Sequence, residues 1–573
     1  MKRYLISAFF IFSVLLCYTS CNRKASDNLS KYNEKSLVAL GQLWGFLKYH
    51  HPAVAKGDYD WDAELVKLIP KILEAKNDSI WEKLLDKWVD SLPPIPENPN
   101  KKLPDLEIKM KPDYGELFNK EYFLPETIEK IKYILNNAVV SSNHYVSVDM
   151  KQEGRIFITN ELSYSEMLYP DLPYRLLALF RYWNIVNYFF PYRELYDQKW
   201  STVLADMLPE FVNAKNQEDY IFACMKLVTK IDDSHGFLYP DLKTGLLQAP
   251  IEVQFVEGLL VVTKFTGVDK YVKEKIEIGD VITSIDGEPV EDIVKRMLPY
   301  TPASNYIIKL REISSKILTR NSNTVTIVFQ RNGKSSKIII PCYDSRLLNN
   351  TYYYNNPQPD KEGFRIIENN IGYVLPSNCK PEDLEIGIKK VLNETKGVII
   401  DMRCYPNYHF TAQMFSSHFN LDSIPCMKSG YTNVFYPGYV FITKEEYYAP
   451  NKWFYQYDRI PKSKYTKKVV VIVNEYTQSQ AESHVIVYQT APNAIVIGST
   501  TAGADGNVTN NFNLPGNIGT RMTSTSVYYP DGSDLQRAGV KIDEIIKPTI
   551  AGIKAGRDEL LERAIEIINE NNR

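Results

Sequence analysis

At 573 residues the chain is too long for a single hydrophobic core, so about three to five structural units are expected. A hydrophobic fraction of 44% with 24% charged residues excludes a disordered or fibrous chain. The formal net charge of -2, with no long run of one sign, offers nucleic acid no electrostatic footprint.

The N-terminus reads as an export signal. Lys2 and Arg3 precede an apolar run from Tyr4 to Leu16, too short for an ordinary membrane-spanning helix. Cys17-Tyr18-Thr19-Ser20-Cys21 follows. Small residues directly before a cysteine resemble a lipoprotein signal, in which Cys21 becomes the lipid-modified first residue of the mature chain. The alternative is an ordinary secretory signal that contains cysteines. On the first reading the protein is lipid-anchored in the cell envelope, as a periplasmic or outer-membrane lipoprotein. The other cysteines, Cys224, Cys342, Cys379, Cys404 and Cys426, are scattered and form no Cys-x-x-Cys pair. They read as small apolar fillers rather than disulfides or a zinc site.

An ungapped repeat follows. Leu40, Trp44, Tyr49, Pro52, Trp61, Leu65 and Pro70 match Leu179, Trp183, Tyr188, Pro191, Trp200, Leu204 and Pro209. Each copy reads as an amphipathic helix, a turn at the proline and a second helix, so two stacked helical hairpins are expected. His50-His51 become Phe189-Phe190 in the second copy, so the packing does not demand that pair, and it reads as a surface pair rather than a metal site. Residues 92–112, rich in Pro, Lys and Asn, read as a linker. Arg155-Ile156-Phe157-Ile158-Thr159 alternates as a short strand does.

From about Ala249 the texture changes to short strands. Leu259–Val262 is one, Val281–Ile285 another, and Val325–Phe329 with Lys337–Ile340 flank Arg331-Asn332-Gly333-Lys334, a hairpin signature. The stretch Ile278–Gly287 resembles a PDZ domain, which captures a peptide by adding it as a strand to an open edge. From about Gly363 strands at Gly372–Leu375, Val398–Met402, Val469–Val473 and Ala494–Gly498 alternate with helices. One helix carries Leu384, Ile388, Val391 and Leu392, and another closes the chain around Leu560 and Ile568. That alternation predicts an α/β core with parallel strands buried on both faces.

The strand Val469–Val473 feeds Asn474-Glu475-Tyr476-Thr477-Gln478-Ser479-Gln480-Ala481-Glu482 and then a helix. A serine there meets free backbone N–H groups and the helix dipole, which suits acyl chemistry. Locally it is equally an N-cap, since Ser479 and Glu482 form a capping box. His235, in Ile231-Asp232-Asp233-Ser234-His235-Gly236, is locally a histidine in a helix-terminating turn. His144, His409, His418 and His484 show no metal-ligand spacing and read as solvated or helix-surface residues, and no phosphate-binding glycine loop is present.

The order of PDZ-like segment, Asp401-Met402-Arg403, Ser479 and Gly498-Ser499-Thr500-Thr501-Ala502-Gly503 resembles peptidase family S41, which includes tail-specific proteases and the tricorn core protease. The resemblance spans residue 220 to the end, and the helical half is similar to that of S41-type lipoproteins of Bacteroidota. It implies a crotonase/ClpP-like core with Ser479 as nucleophile. The lysine that one branch uses is absent from Gly503-Ala504-Asp505-Gly506, so the resemblance points to the tricorn-like branch, with His235 as base and Ser234 as its supporting neighbour. The residue that matches the third member is Gln536, a departure from the usual Glu. The oxyanion donors implied are the backbone N–H of Gln480 and one from the Asn407–Tyr408 stretch, where the family's glycines are replaced.

The expectation is therefore a multidomain α/β protein. Its parts are a signal peptide (1–20), a first helical repeat (21–95), a linker with a small mixed segment (96–165), and a second helical repeat ending in the His235 motif (166–248). A PDZ-like β domain (249–345) and a peptidase core (346–573) follow. The expected activity is serine endopeptidase, without metal or organic cofactor, on peptide or unfolded protein substrates, with membrane contact through the lipid. The rival is a catalytically weakened peptide-binding lipoprotein on the same fold, and a third class is a carrier of apolar ligands.

Overall fold

The computed structural model describes residues 31–240, 245–266, 269–348, 362–420, 423–449 and 465–570, so the signal segment with Cys21 lies outside the described residues. Among those described, no helix is long and apolar enough to cross a membrane.

The repeat is a physical pseudo-symmetry. In the first copy the helices Lys31–His50 and Trp61–Leu73 are locked by reciprocal indole bonds: Trp44 Nε1 donates to the Trp61 carbonyl (3.1 Å) and Trp61 Nε1 to the Trp44 carbonyl (3.0 Å). In the second copy Trp183 and Trp200 repeat both bonds at 3.0 Å between Leu172–Phe189 and Trp200–Asn213. A buried indole must satisfy its N–H, and here each does so on the partner helix. The copies then pack on each other through glycines. A Cβ on Gly45 would stand 1.8 Å from the Asn184 side chain, whose amide donates to the carbonyls of Gly41 and Phe180. Four buried charges bridge the same interface. Lys48 pairs with Glu161 (2.7 Å), and Arg181 pairs with both Glu161 (2.8 Å) and Asp62.

His50 and His51 are buried rather than surface residues. His50 stacks on Phe46 and meets Tyr188 edge-on, and burial draws its imidazole down to about 3, so it packs as a neutral aromatic. The presumed linker is also more than a spacer: Ile108–Met110 adds an antiparallel strand to Tyr436–Ala449 of the C-terminal region.

Residues 249–345 form an antiparallel sheet in the order Lys334–Pro341, Thr324–Arg331, Val281–Ile285, Leu259–Phe265, Ile251–Val256. The turn between the first two places Asn332 and Gly333 at positive φ (49° and 76°), as a two-residue hairpin requires. The helix Tyr306–Lys316 crosses from this unit toward the C-terminal core.

That core is a six-stranded sheet ordered Phe364–Ile367, Ile371–Val374, Gly397–Asp401, Lys468–Val473, Ala494–Gly498, Glu544–Ile545, parallel from the second strand onward. Alternation explains its unbroken β-branched runs. Val469, Val471 and Val473 face the helices Leu384–Asn393 and Gln480–Gln489, while Val470 and Ile472 face Glu559–Glu570. Both faces are thus apolar and covered. All five described cysteines are free and buried.

Because Asn184 is fully buried and bonded to two carbonyls, Gly45→Ala should destabilise the helical region by about 1–3 kcal/mol, the cost of overpacking a tight interface. Denaturant unfolding checks this, and an unchanged midpoint would contradict the close approach.

Candidate active site

The central strand Lys468–Val473 delivers a turn that Thr477 ties down, its hydroxyl donating to the Met402 carbonyl at 2.7 Å. Ser479 follows at φ 57°, ψ -125°, a conformation that non-glycine residues adopt at a cost of about 1–3 kcal/mol. Its backbone is clamped: the N–H donates to the Ala504 carbonyl (3.0 Å) and to a Glu482 carboxylate oxygen (3.2 Å), and its carbonyl accepts from Glu482 N–H at 2.7 Å. The Gln480 N–H, first in the helix Gln480–Gln489, has no partner among the described residues. It is therefore available to an oxyanion, as the sequence led one to expect.

Glu482 builds the opposite wall. Fully buried, its carboxylate accepts from Thr501 Oγ1 (2.6 Å), Gly503 N–H (2.7 Å) and Ala504 N–H (2.9 Å). Gly503 must take φ 60°, and a Cβ there would lie 2.8 Å from the Arg537 backbone. Burial pushes the Glu482 carboxyl up to about 7, while the Thr501 hydrogen bond pulls it down. The residue is thus a clamp on the Thr501–Ala504 turn as well as half of a cap.

His235 is placed by strand register. Phe237–Tyr239 pairs antiparallel with Ile518–Arg521, Phe237 opposite Arg521, and continuing that register by two residues sets His235 opposite Thr523. The imidazole Nδ1 lies 2.8 Å from Thr523 Oγ1. Thr523 in turn donates its hydroxyl to Asp233 (2.9 Å) and its N–H to the other Asp233 oxygen (2.7 Å), and His235 N–H donates to Asp233 as well (3.0 Å). A threonine hydroxyl has one proton, and a carboxylate can only accept it. Thr523 therefore accepts from Nδ1–H, which fixes the tautomer and leaves Nε2 as the basic nitrogen. Burial draws His235 below its ordinary value, opposed by the Asp233 charge and assisted by Arg521.

Other expected residues fall elsewhere. Gln536 is not hydrogen-bonded to His235: neither polar atom of its amide, though buried, has a partner among the described residues, and Thr523 occupies the Nδ1 side instead. The Ser234 hydroxyl accepts from Ser304 N–H (2.9 Å) while Ser234 N–H donates to the Ser304 hydroxyl (2.8 Å), so this serine fastens the loop to residues 301–311 rather than touching the imidazole. Asn407 cannot supply the second oxyanion donor, because its N–H is spent on the Pro376 carbonyl (3.0 Å) and its side chain on that of Cys379 (3.1 Å). Within that stretch the Tyr408 N–H has no partner among the described residues. His484 is buried, not on the surface. Its Nε2 bonds the His409 carbonyl at 2.9 Å and ties this stretch to the nucleophile helix.

Residues not singled out beforehand join the two halves. Gln478 donates to the Ser234 carbonyl (3.3 Å) and accepts from Arg311 (3.0 Å), and Asn305 reaches the carbonyls of Thr501 (3.1 Å) and Ala502 (3.2 Å). Ser479 Oγ makes no hydrogen bond to His235, an open geometry that apo sites often show. Among the described residues no group of three or more His, Cys, Asp or Glu side chains could hold a metal ion.

Residues 430–546 match the sequence profile of peptidase family S41, and the chain carries the S41 peptidase fold. Mature CPAF complexed with lactacystin is similar in structure, with a TM-score of 0.54, 13% identity, and 70% of this chain and 99% of that chain covered. Mature CPAF alone is similar at a TM-score of 0.51 and 14% identity, with the same coverage. No curated protein matches the sequence.

Thr523→Val keeps the shape and removes the acceptor of Nδ1–H, so it should lower kcat for hydrolysis by about 10²-fold, the lower end of general-base contributions, with KM little changed. Thr523→Ser should restore most of the rate. Since the base works deprotonated and burial depresses it, kcat/KM should rise with pH through an apparent pKa below the ordinary value of about 6.5. A midpoint above that value would contradict the arrangement.

Proposed function

We propose that this protein is a serine peptidase that hydrolyses peptide bonds, with Ser479 as nucleophile and His235 Nε2 as general base. The observation that carries the reading is the pairing of two locally costly features: a serine held at positive φ ahead of an unpartnered helix N–H, and a histidine whose tautomer is fixed with Nε2 unprotonated. Neither is needed for packing. Attack of Ser479 Oγ on the scissile carbonyl transfers its proton to Nε2. The oxyanion meets Gln480 N–H, and the proton passes to the leaving amine before water repeats the sequence.

The antiparallel sheet of residues 249–345 is read as a PDZ-like module that holds a peptide, or a protein C-terminus, beside the site. Its helix Tyr306–Lys316 carries Arg311, which bonds Gln478 next to the nucleophile, so peptide capture and chemistry share one wall. The N-terminal segment supports export and lipid attachment at Cys21, which would place the peptidase in the cell envelope.

Hydrolysis of unfolded protein or quenched fluorogenic peptides tests the activity. Ser479→Ala should abolish it, and His235→Ala should reduce it by about 10³-fold or more. Equal turnover by a folded Ser479→Ala protein would refute the reading. Cys21→Ala should end palmitate incorporation and membrane retention, and continued incorporation would refute the lipid anchor.

A further inference from the structure

A cavity of about 210 Å³ opens beside the candidate site, with His235, Gln478, Phe237, Tyr300 and Arg521 in its wall. It is smaller than the roughly 300–1,000 Å³ of sites that enclose a whole drug-sized ligand, so it suits one side chain or chain end. Its floor and sides are apolar through Met225, Val228 and Phe237, while its charge is one-sided. Of the charged residues lining it, Glu312 is the one anion and is held by Arg311 through Nε (3.1 Å) and Nη2 (2.7 Å). Arg311 also donates to Gln478 and the Glu475 carbonyl, so its guanidinium is fully engaged.

Arg521 is different. Its guanidinium stacks over the Phe237 ring at 4.9 Å, and Nε donates to the His235 carbonyl at 3.3 Å. These contacts fix the plane of the group. Among the described residues it has no carboxylate partner, and its two Nη groups make no hydrogen bond. An oriented guanidinium edge without a counter-ion, in a cavity that shares a wall with a candidate general base, matches the geometry of a carboxylate. Strand register puts it there: Arg521 lies opposite Phe237, two residues from the His235–Thr523 pair.

We propose that Arg521 and this cavity form a carboxylate-recognising subsite of the substrate cleft, so that peptides presenting an acidic side chain or a free C-terminal carboxylate are preferred over their neutral counterparts. This rests on the peptidase reading for its substrate class, and binding can be measured apart from chemistry. The full chain carrying Ser479→Ala is titrated by fluorescence anisotropy with a labelled peptide series. Glu replaces Gln at one position at a time, and each peptide is made with a free or an amidated C-terminus.

One Glu position, or the free terminus, should bind about tenfold tighter than its neutral partner, the worth of a charge-assisted hydrogen-bonded pair. The arm that responds identifies the source of the carboxylate. Adding Arg521→Gln should erase that ratio and Arg521→Lys should keep part of it; thermal melting of both proteins reports that they fold. Equal affinities throughout the series, or a preference that survives in folded Arg521→Gln, would overturn the subsite. Ser479-dependent hydrolysis without acid preference would remove the subsite alone. Acid-selective binding without any such hydrolysis would remove the peptidase reading alone.

Discussion

The antiparallel pairing of Phe237–Tyr239 with Ile518–Arg521 joins segments that the chain keeps far apart, and the geometry around His235 follows from its register. His235 and Thr523, 288 residues apart in sequence, become opposite neighbours. Asp233 then accepts three hydrogen bonds, two from Thr523 and one from His235 N–H, which hold both segments in one alignment. A slip of one residue would turn Thr523 to the other face and leave Asp233 buried without its donors. Because an unsatisfied buried carboxylate is costly, the register that orients the imidazole is also the one the fold enforces.

Other contacts carry this alignment to the nucleophile. Glu482 fastens the Thr501–Ala504 turn to the start of the nucleophile helix, Gln478 bridges to the Ser234 carbonyl, and Asn305 and Ser304 bring in residues 301–311. The site is thus assembled where the helical region, the antiparallel sheet unit and the α/β core meet. Such a junction makes the positions of Ser479 and His235 sensitive to movement of residues 301–311, and gives a peptide held on that unit a physical route to the chemistry.

Much of the fold was legible because its signals are local. The tryptophan repeat, the Asn332-Gly333 turn and the β-branched strands each follow from neighbouring residues, and the serine at a strand-to-helix step marks its own environment. What was not legible is long-range. Thr523 sits in an unremarkable Met522-Thr523-Ser524-Thr525-Ser526 run, and only strand pairing makes it the partner of His235. Gln536 and Asn407 were assigned by analogy with a motif, but the Asn407 N–H is consumed by the Pro376 carbonyl and the Gln536 amide bonds nothing. His50 and His484 were read as surface residues because periodicity does not show that a polar ring can pack on aromatic neighbours. The long hairpin of Ile424–Asn433 and Tyr436–Ala449 was missed because its alternation is broken by register shifts.

The most direct test of the central claim is the rate at which a fluorophosphonate reacts with the intact protein as a function of pH, with the adduct located by mass spectrometry. A single adduct on the peptide containing Ser479 is predicted, forming more slowly as His235 is protonated and hardly at all in a folded His235→Ala variant. An adduct elsewhere, or labelling of Ser479 at an undiminished rate without the His235 imidazole, would contradict the account.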